Sequence, residues 1–183
     1  MAGMGLLRTL WLTRLSNPAG ERVLYRHVLR SPPRRILEVG MGLLVRTERL
    51  LQAIASRRGA VPAQYVGLDR FEGRLPDDPP GVTLKEAHRR LRGLAAVQLV
   101  PGNVDTSLAR LCNHLGVFDL VVISASVDER HLARCWPSMQ RVTTPASVVF
   151  VEAGSAGRKP GWQTVPRSRI DELAARTALL RAG

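Results

Sequence analysis

Residues 34–44, RRILEVGMGLL, run from two arginines through a short apolar stretch into Glu38 and then Gly40-Met41-Gly42. The apolar piece, Arg35 to Val39, is too short for a stable helix and reads as a buried strand. Glycines just beyond a strand permit a tight turn and let another group approach the backbone closely. A turn explains the glycines but not the acid, which points to a ligand at this strand end.

Working outward, the chain alternates between apolar runs of about five residues and segments of helical periodicity, the pattern of parallel βαβ units. After the first run, Leu43, Thr47, Leu50, Leu51 and Ile54 mark one helical face, with Gly59 as a stop. A second run, Gln64 to Leu68, ends at Asp69 and is followed by the loop FEGRLPDDPPGV. Thr83 and Glu86 have capping-box spacing ahead of a helix near 84–92, with Leu84, Ala87, His88 and Leu91 on one side. Val97 to Val100 form a third run, after which Asp105 is expected to cap a helix bearing Leu108, Leu111, Cys112 and Leu115 and ending at Gly116. Phe118 to Ile123 and Ser147 to Val151 supply two further strands, with a helix from about Glu129 to Val142, interrupted by Pro137, between them. Trp162 to Val165 is a weak extended piece, and a last helix over Arg169 to Arg181 has Ser168 as its expected cap.

The fold expected is therefore α/β: a doubly wound, mainly parallel Rossmann-like sheet of about five strands, truncated at its C-terminal end. Residues 1–33 form a helical lead-in, with helices over Met4 to Leu15 and Glu21 to Arg30, and residues 34–183 form the main body of one globular domain. Leu6, Leu7, Leu10 and Val23 are expected to pack that lead-in against the sheet.

Composition narrows the functional classes. No apolar run approaches the roughly 18 residues that span a bilayer, and Arg8 and Arg14 break the apolar start, so export and a membrane partner are not expected. Cys112 and Cys135 are far apart with no paired spacing, which disfavours a disulfide framework and a metal site. A reduced, cytoplasmic protein is the expectation. The net charge of +12 is concentrated at the ends: residues 1–35 hold seven arginines against Glu21 alone. Nucleic-acid binding modules and interleaved aromatics are missing, so a small molecule or a protein is a better expected partner than RNA.

Four successive strand ends carry candidate ligand groups: Glu38 with Gly40, Met41 and Gly42; Asp69 with Arg70; Gly102 with Asn103; and Ser124 with Ala125. In open parallel sheets ligands bind at these carboxyl ends. A dinucleotide would want G-x-G-x-x-G, but Val45 stands at the third glycine and Glu38 would oppose a phosphate. LEVGMGLL resembles the first motif of class I S-adenosylmethionine-dependent methyltransferases, an acid-x-Gly-x-Gly-x-Gly pattern in which Leu44 occupies the third glycine position. The resemblance implies S-adenosyl-L-methionine as cofactor, with Asp69 on its ribose hydroxyls, Asn103 near adenine, and Ser124-Ala125 facing the methyl donor. It implies methyl transfer to an acceptor that the sequence leaves unidentified. Asp128, Glu129 and His131, just past the fourth strand, are the candidates for a general base. Two rival readings remain: a binding protein of the same fold without turnover, and an NADP-dependent oxidoreductase in which Arg70 meets the 2′-phosphate. The oligomeric state is open.

Overall fold

Strands β1 (Arg35–Val39), β2 (Gln64–Asp69), β3 (Ala96–Pro101), β4 (Leu120–Ile123), β5 (Val148–Ser155) and β6 (Arg158–Thr164) form one sheet in the order β3-β2-β1-β4-β5-β6. The structure, a computed structural model, describes residues 5–58, 61–155 and 158–182. Neighbouring strands are parallel except β5 and β6, which run antiparallel with Glu152 opposite Trp162. The sheet thus has six strands rather than about five. The weak piece expected at Trp162 to Val165 falls in β6 as far as Thr164, held by its ladder to β5 rather than by an apolar run of its own.

Because side chains alternate along a strand, each strand feeds two cores. Ile36, Tyr65, Leu120, Val122 and Phe150 join one, together with residues of helices α2 (Arg22–Arg30), α3 (Val45–Arg58) and α4 (Leu84–Leu91). Leu37, Val39, Leu68, Val121 and Ile123 join the other, with α5 (Val104–Leu115), α6 (Glu129–Arg141) and α7 (Arg167–Ala182). The chain changes face between β1 and β4, adjacent strands followed by α3 on one side and α6 on the other. A crevice opens at the carboxyl ends of strands that diverge in this way.

Several local expectations shift. Leu43 precedes α3 and is exposed, because the glycine turn delays the helix to Val45; Thr47, Leu50, Leu51 and Ile54 are buried as the spacing predicts. The stop expected at Gly59 lies outside the described residues. Thr83 caps α4 by accepting from the Glu86 amide, but His88 points to solvent while Ala87 and Leu91 are buried. The cap of α5 is Asn103, so Asp105 stands inside the first turn, where its carboxylate lies 4.0 Å from the Arg134 guanidinium. Gly116 ends α5 at φ +67. α6 continues through Pro137, and α7 begins before Ser168, with Pro166 accepting from the Arg169 and Ile170 amides.

The lead-in differs most. α1 (Leu6–Leu10) runs into a π-helical segment, Trp11–Leu15, and neither Leu6, Leu7 nor Leu10 packs on the sheet. Leu12 does so instead, together with Leu24, Tyr25 and Val28 from α2, while Val23 lies at the surface. The short, wide-turned start buries one of the ten residues of α1 and its extension, Leu12, which no 3.6-residue spacing would predict. Among the described residues no helix is long and apolar enough to cross a membrane.

His27 of α2 meets the Phe150 ring edge-on at 5.5 Å, and burial lowers its pKa. As pH falls below the ordinary value of about 6.5, the unfolded chain takes up a proton that the folded one resists, so this group withdraws stability on the acid side. Relative to His27→Leu, the native chain should therefore lose stability between about pH 7.5 and 5.5, and urea denaturation at the two values measures the difference.

Candidate functional site

The crevice at the carboxyl ends of β1 to β5 is a cavity of about 630 Å³. That falls within the range of small-molecule sites, roughly 300 to 1,000 Å³. Gly40 and Gly42 from the turn after β1, Asp69 and Arg70 after β2, Gly102 and Asn103 after β3, and Ser124 and Ala125 after β4 all line it. So do Asp128, Glu129 and His131 at the start of α6. Glu38 and Met41 do not line it, and this corrects the expectation that both would face a ligand.

The reason for Glu38 is covalent geometry. Its position on β1 turns the side chain into the core, where it is fully buried. There Oε1 accepts from Arg46 Nε at 2.9 Å and lies 2.8 Å from Arg46 Nη2, and Oε2 accepts from the Tyr65 hydroxyl at 2.8 Å. Arg46 also donates to the Gly40 carbonyl at 2.7 Å, lies 3.9 Å from Glu152, and sits 5.0 Å from the centre of the Trp162 ring. Burial and the adjacent carboxylate push the Tyr65 phenol well above its ordinary pKa, and Glu38 holds the Arg46 guanidinium charged against the cost of its own burial. The acid therefore secures the glycine turn from beneath: it fixes the arginine that fixes the Gly40 carbonyl.

The turn itself alternates through left-handed backbone, with φ of +78 at Gly40, +57 at Gly42 and +68 at Leu44. Leu44 thus takes a glycine-like conformation as a leucine, and its fully buried side chain supplies the compensation. At Gly40 the constraint is also steric. A Cβ there would come 2.7 Å from Ser126 Oγ and 3.0 Å from Ser124 Cβ, so glycine lets the turns after β1 and β4 close on one another. Met41 tucks its side chain under Gly67 of β2, where a Cβ would lie 2.4 Å from its sulfur.

Asp69 clamps the same turn from the other side. Its Oδ2 accepts from the Met41 amide at 2.7 Å and the Gly42 amide at 3.0 Å, and its Oδ1 accepts from the Arg70 amide and from Arg74 Nη2, both at 2.6 Å. Arg70 reaches Asn103 Oδ1 at 2.8 Å and binds both Asp78 oxygens at 2.8 and 2.6 Å, joining the loop after β2 to the end of β3. The Leu75 amide and Arg70 together hold the Asp78 carboxyl below its usual range.

Across the cleft, Glu152 Oε2 accepts from the Ser124 hydroxyl and the Ala125 amide, each at 3.0 Å. Asp128 caps α6 by accepting from the amides of Arg130 and His131, which lowers its pKa, and its Oδ1 lies 3.2 Å from His131 Nδ1. Sequence reasoning missed Glu152, although the run VVFVE ends in an acid as Gln64 to Asp69 does. It also missed Arg46, Arg74 and Asp78, whose partners are distant turns with no spacing rule to announce them. Among the described residues no group of three or more His, Cys, Asp or Glu could hold a metal ion.

No protein-family model and no curated protein matches the sequence. Solved structures do share its fold. The O-methyltransferase TomG of Streptomyces achromogenes, in complex with SAM, superposes over 100% of this chain and 79% of its own at a TM-score of 0.56 and 16% identity. An O-methyltransferase from Bacillus cereus, in complex with SAH, does so over 93% of this chain and 71% of its own at 0.57 and 17%. CalS11, a TDP-rhamnose 3′-O-methyltransferase of calicheamicin biosynthesis, covers 93% of this chain and 82% of its own at 0.58 and 17%. The α/β fold read from the strand and helix pattern is that of these proteins.

Truncating Glu38 tests its structural role. Glu38→Ala leaves the Arg46 charge and the Tyr65 hydroxyl without their buried partner, and should cost about 3 to 5 kcal/mol of stability. Chemical denaturation measures this, and an unchanged midpoint would mean that Glu38 is not what holds Arg46 and Tyr65 in place.

Proposed function

We propose that the chain binds S-adenosylmethionine in this cleft and catalyses transfer of its methyl group to an acceptor lying on the Asp128–His131 side. One observation carries the reading: the amides of Met41 and Gly42 are donated to the Asp69 carboxylate, and the Leu44 amide to the Met41 carbonyl, so the turn offers no cradle for a pyrophosphate. The ligand chemistry that suits the lining is cationic. Asp69, Asp78, Asp128, Glu129 and Glu152 face it against Arg70, Arg74 and His131, and both arginines already pair with one of those acids. An NADP-type ligand would bring phosphates to this surface, and Arg70, its one advocate in the sequence, is held by Asp78. S-adenosylmethionine brings a sulfonium and an ammonium and no phosphate. TomG and the Bacillus cereus enzyme, crystallised with SAM and SAH, lend support through fold.

In this reading Asp69 accepts from the ribose hydroxyls, sharing Oδ1 with or taking it from Arg74. Asn103 and Gly102 flank the adenine end. Glu152, held by Ser124 and Ala125, takes the ammonium, and Gly40 and Gly42 let the amino-acid end approach. When bound, the cofactor supplies an electrophilic methyl, so the protein's work is alignment, exclusion of water and removal of a proton. His131 accepts the acceptor's proton on Nε2, while ionised Asp128, 3.2 Å from Nδ1, stabilises the imidazolium by its charge. A small molecule or a protein side chain would serve as acceptor. CalS11 and TomG belong to the biosynthesis of small molecules, which favours the former.

Calorimetry should find S-adenosylhomocysteine bound with micromolar affinity, about −8 kcal/mol, and no measurable binding of NADPH. Asp69→Ala should weaken the sulfur ligand by about 1 to 3 kcal/mol. Preferential binding of NADPH would overturn the assignment. Once an acceptor is in hand, His131→Ala should slow turnover by about 100-fold or more without changing cofactor affinity, and equal losses in both would remove His131 as the base.

A further inference from the structure

Apart from Leu12, which packs in the core, the segment Leu6–Leu15 presents an apolar surface that the fold leaves exposed. Leu6 is 90% exposed, Leu7 84% and Leu15 62%, and Leu10 and Trp11 are exposed beside them. Scattered surface leucines are ordinary, but a cluster of this kind on one short helical segment marks an interaction site. What covers it is indicated by charge. Arg8 donates to the Gln52 amide oxygen, Arg22 to the Ser16 carbonyl and Arg26 to the Thr13 carbonyl, all neutral acceptors, while Arg14 and Arg30 are exposed. The lead-in's single acid, Glu21, is buried against Tyr25 and lies 3.8 Å from Arg49, a cation of α3. The arginine charges beside the leucines therefore stay uncompensated, and Arg22 and Arg26 are anchored to the same segment that carries the apolar side chains.

We propose that Leu6–Leu15 docks the protein on an anionic lipid surface, with the leucines entering the acyl boundary and the arginines of the lead-in meeting the headgroups. A second copy of the chain would bring two such basic segments together, which like-charge repulsion opposes. RNA would satisfy the arginines but give the leucines nothing to enter. A lipid surface alone satisfies both, and it requires no spanning helix: short basic amphipathic segments bind in the interface plane, with strength set by buried apolar area and attraction to anionic lipid. This site is separate from the cleft and does not depend on what the cleft binds.

Sedimentation of the full chain with phosphatidylglycerol vesicles, with phosphatidylcholine vesicles as the contrast, is the direct test. The protein should partition onto the anionic vesicles and far less onto the zwitterionic ones. Binding should fall as added salt shortens the screening length from about 10 Å at 0.1 M. The triple variant Leu6→Ser, Leu7→Ser, Leu10→Ser should bind more than about tenfold more weakly with an unchanged melting temperature, since these side chains touch no core. Arg14→Gln with Arg30→Gln should lower binding to phosphatidylglycerol only. Failure of the native chain to sediment with phosphatidylglycerol overturns the proposal without needing any variant. So does undiminished binding by a folded triple-leucine variant, a native dimer that the same variant converts to monomer, or salt-sensitive RNA retention that phosphatidylglycerol does not compete away.

Discussion

A carboxylate buried in an apolar sheet is costly unless its charge and lone pairs are met, and Glu38 is met by Arg46 and Tyr65. Everything at the carboxyl end of the sheet is built out from that pair. Arg46 is the first turn's side chain that reaches back to the strand, and in doing so it grips the Gly40 carbonyl and approaches Glu152, three strands' worth of structure tied to one guanidinium. Trp162 lies against the same guanidinium, which joins the antiparallel β6 to a centre otherwise made of parallel strands. The acid that interrupts RRILEVGMGLL is therefore there for the turn, and acts on any ligand through it.

A second carboxylate completes the turn from the outside. Asp69 takes the Met41 and Gly42 amides, so that the loop is pinned between an acid below and an acid beside it. Once pinned, the loop can carry residues with φ of +57 to +78 at alternate positions, including a leucine. Left-handed backbone at a non-glycine residue costs on the order of 1 kcal/mol. Burying a leucine side chain contributes about 1.5 to 3 kcal/mol, which offsets that cost with some to spare. The loop thereby keeps the shape of a three-glycine turn with two glycines.

What the sequence made legible follows the range of the interactions concerned. Strand β1 and helix α4 with its Thr83 cap were readable because neighbours within four residues decide them. The strand ends at Asp69, Asn103 and Ser124 were readable because a parallel sheet puts all its carboxyl ends on one side, so linear order becomes proximity. Glu38 was found but misread, since a strand residue's facing depends on register against β2 and β4, which no local pattern states. Arg46, Arg74 and Asp78 were invisible for the same reason: their partners are other turns. The exposure of Leu6, Leu7 and Leu10 was equally unreadable, because the π-helical extension changes which residue, Leu12, turns inward.

Charge is divided between the two ends of this molecule's behaviour. The chain carries +12 overall, yet the cleft presents five acids to two arginines, each already paired. Part of that surplus, five arginines against Glu21, lies in the lead-in, where Arg22 and Arg26 have carbonyl oxygens rather than carboxylates as partners. Fields of opposite sign on separate surfaces let one small protein attract an anionic surface without filling its own cleft with anions, since exposed charges farther apart than about 8 Å are largely screened at physiological salt. The pairing of Arg70 with Asp78 and of Arg74 with Asp69 is what keeps that separation intact. Were either arginine released into the cleft, its local sign would move toward that of the lead-in.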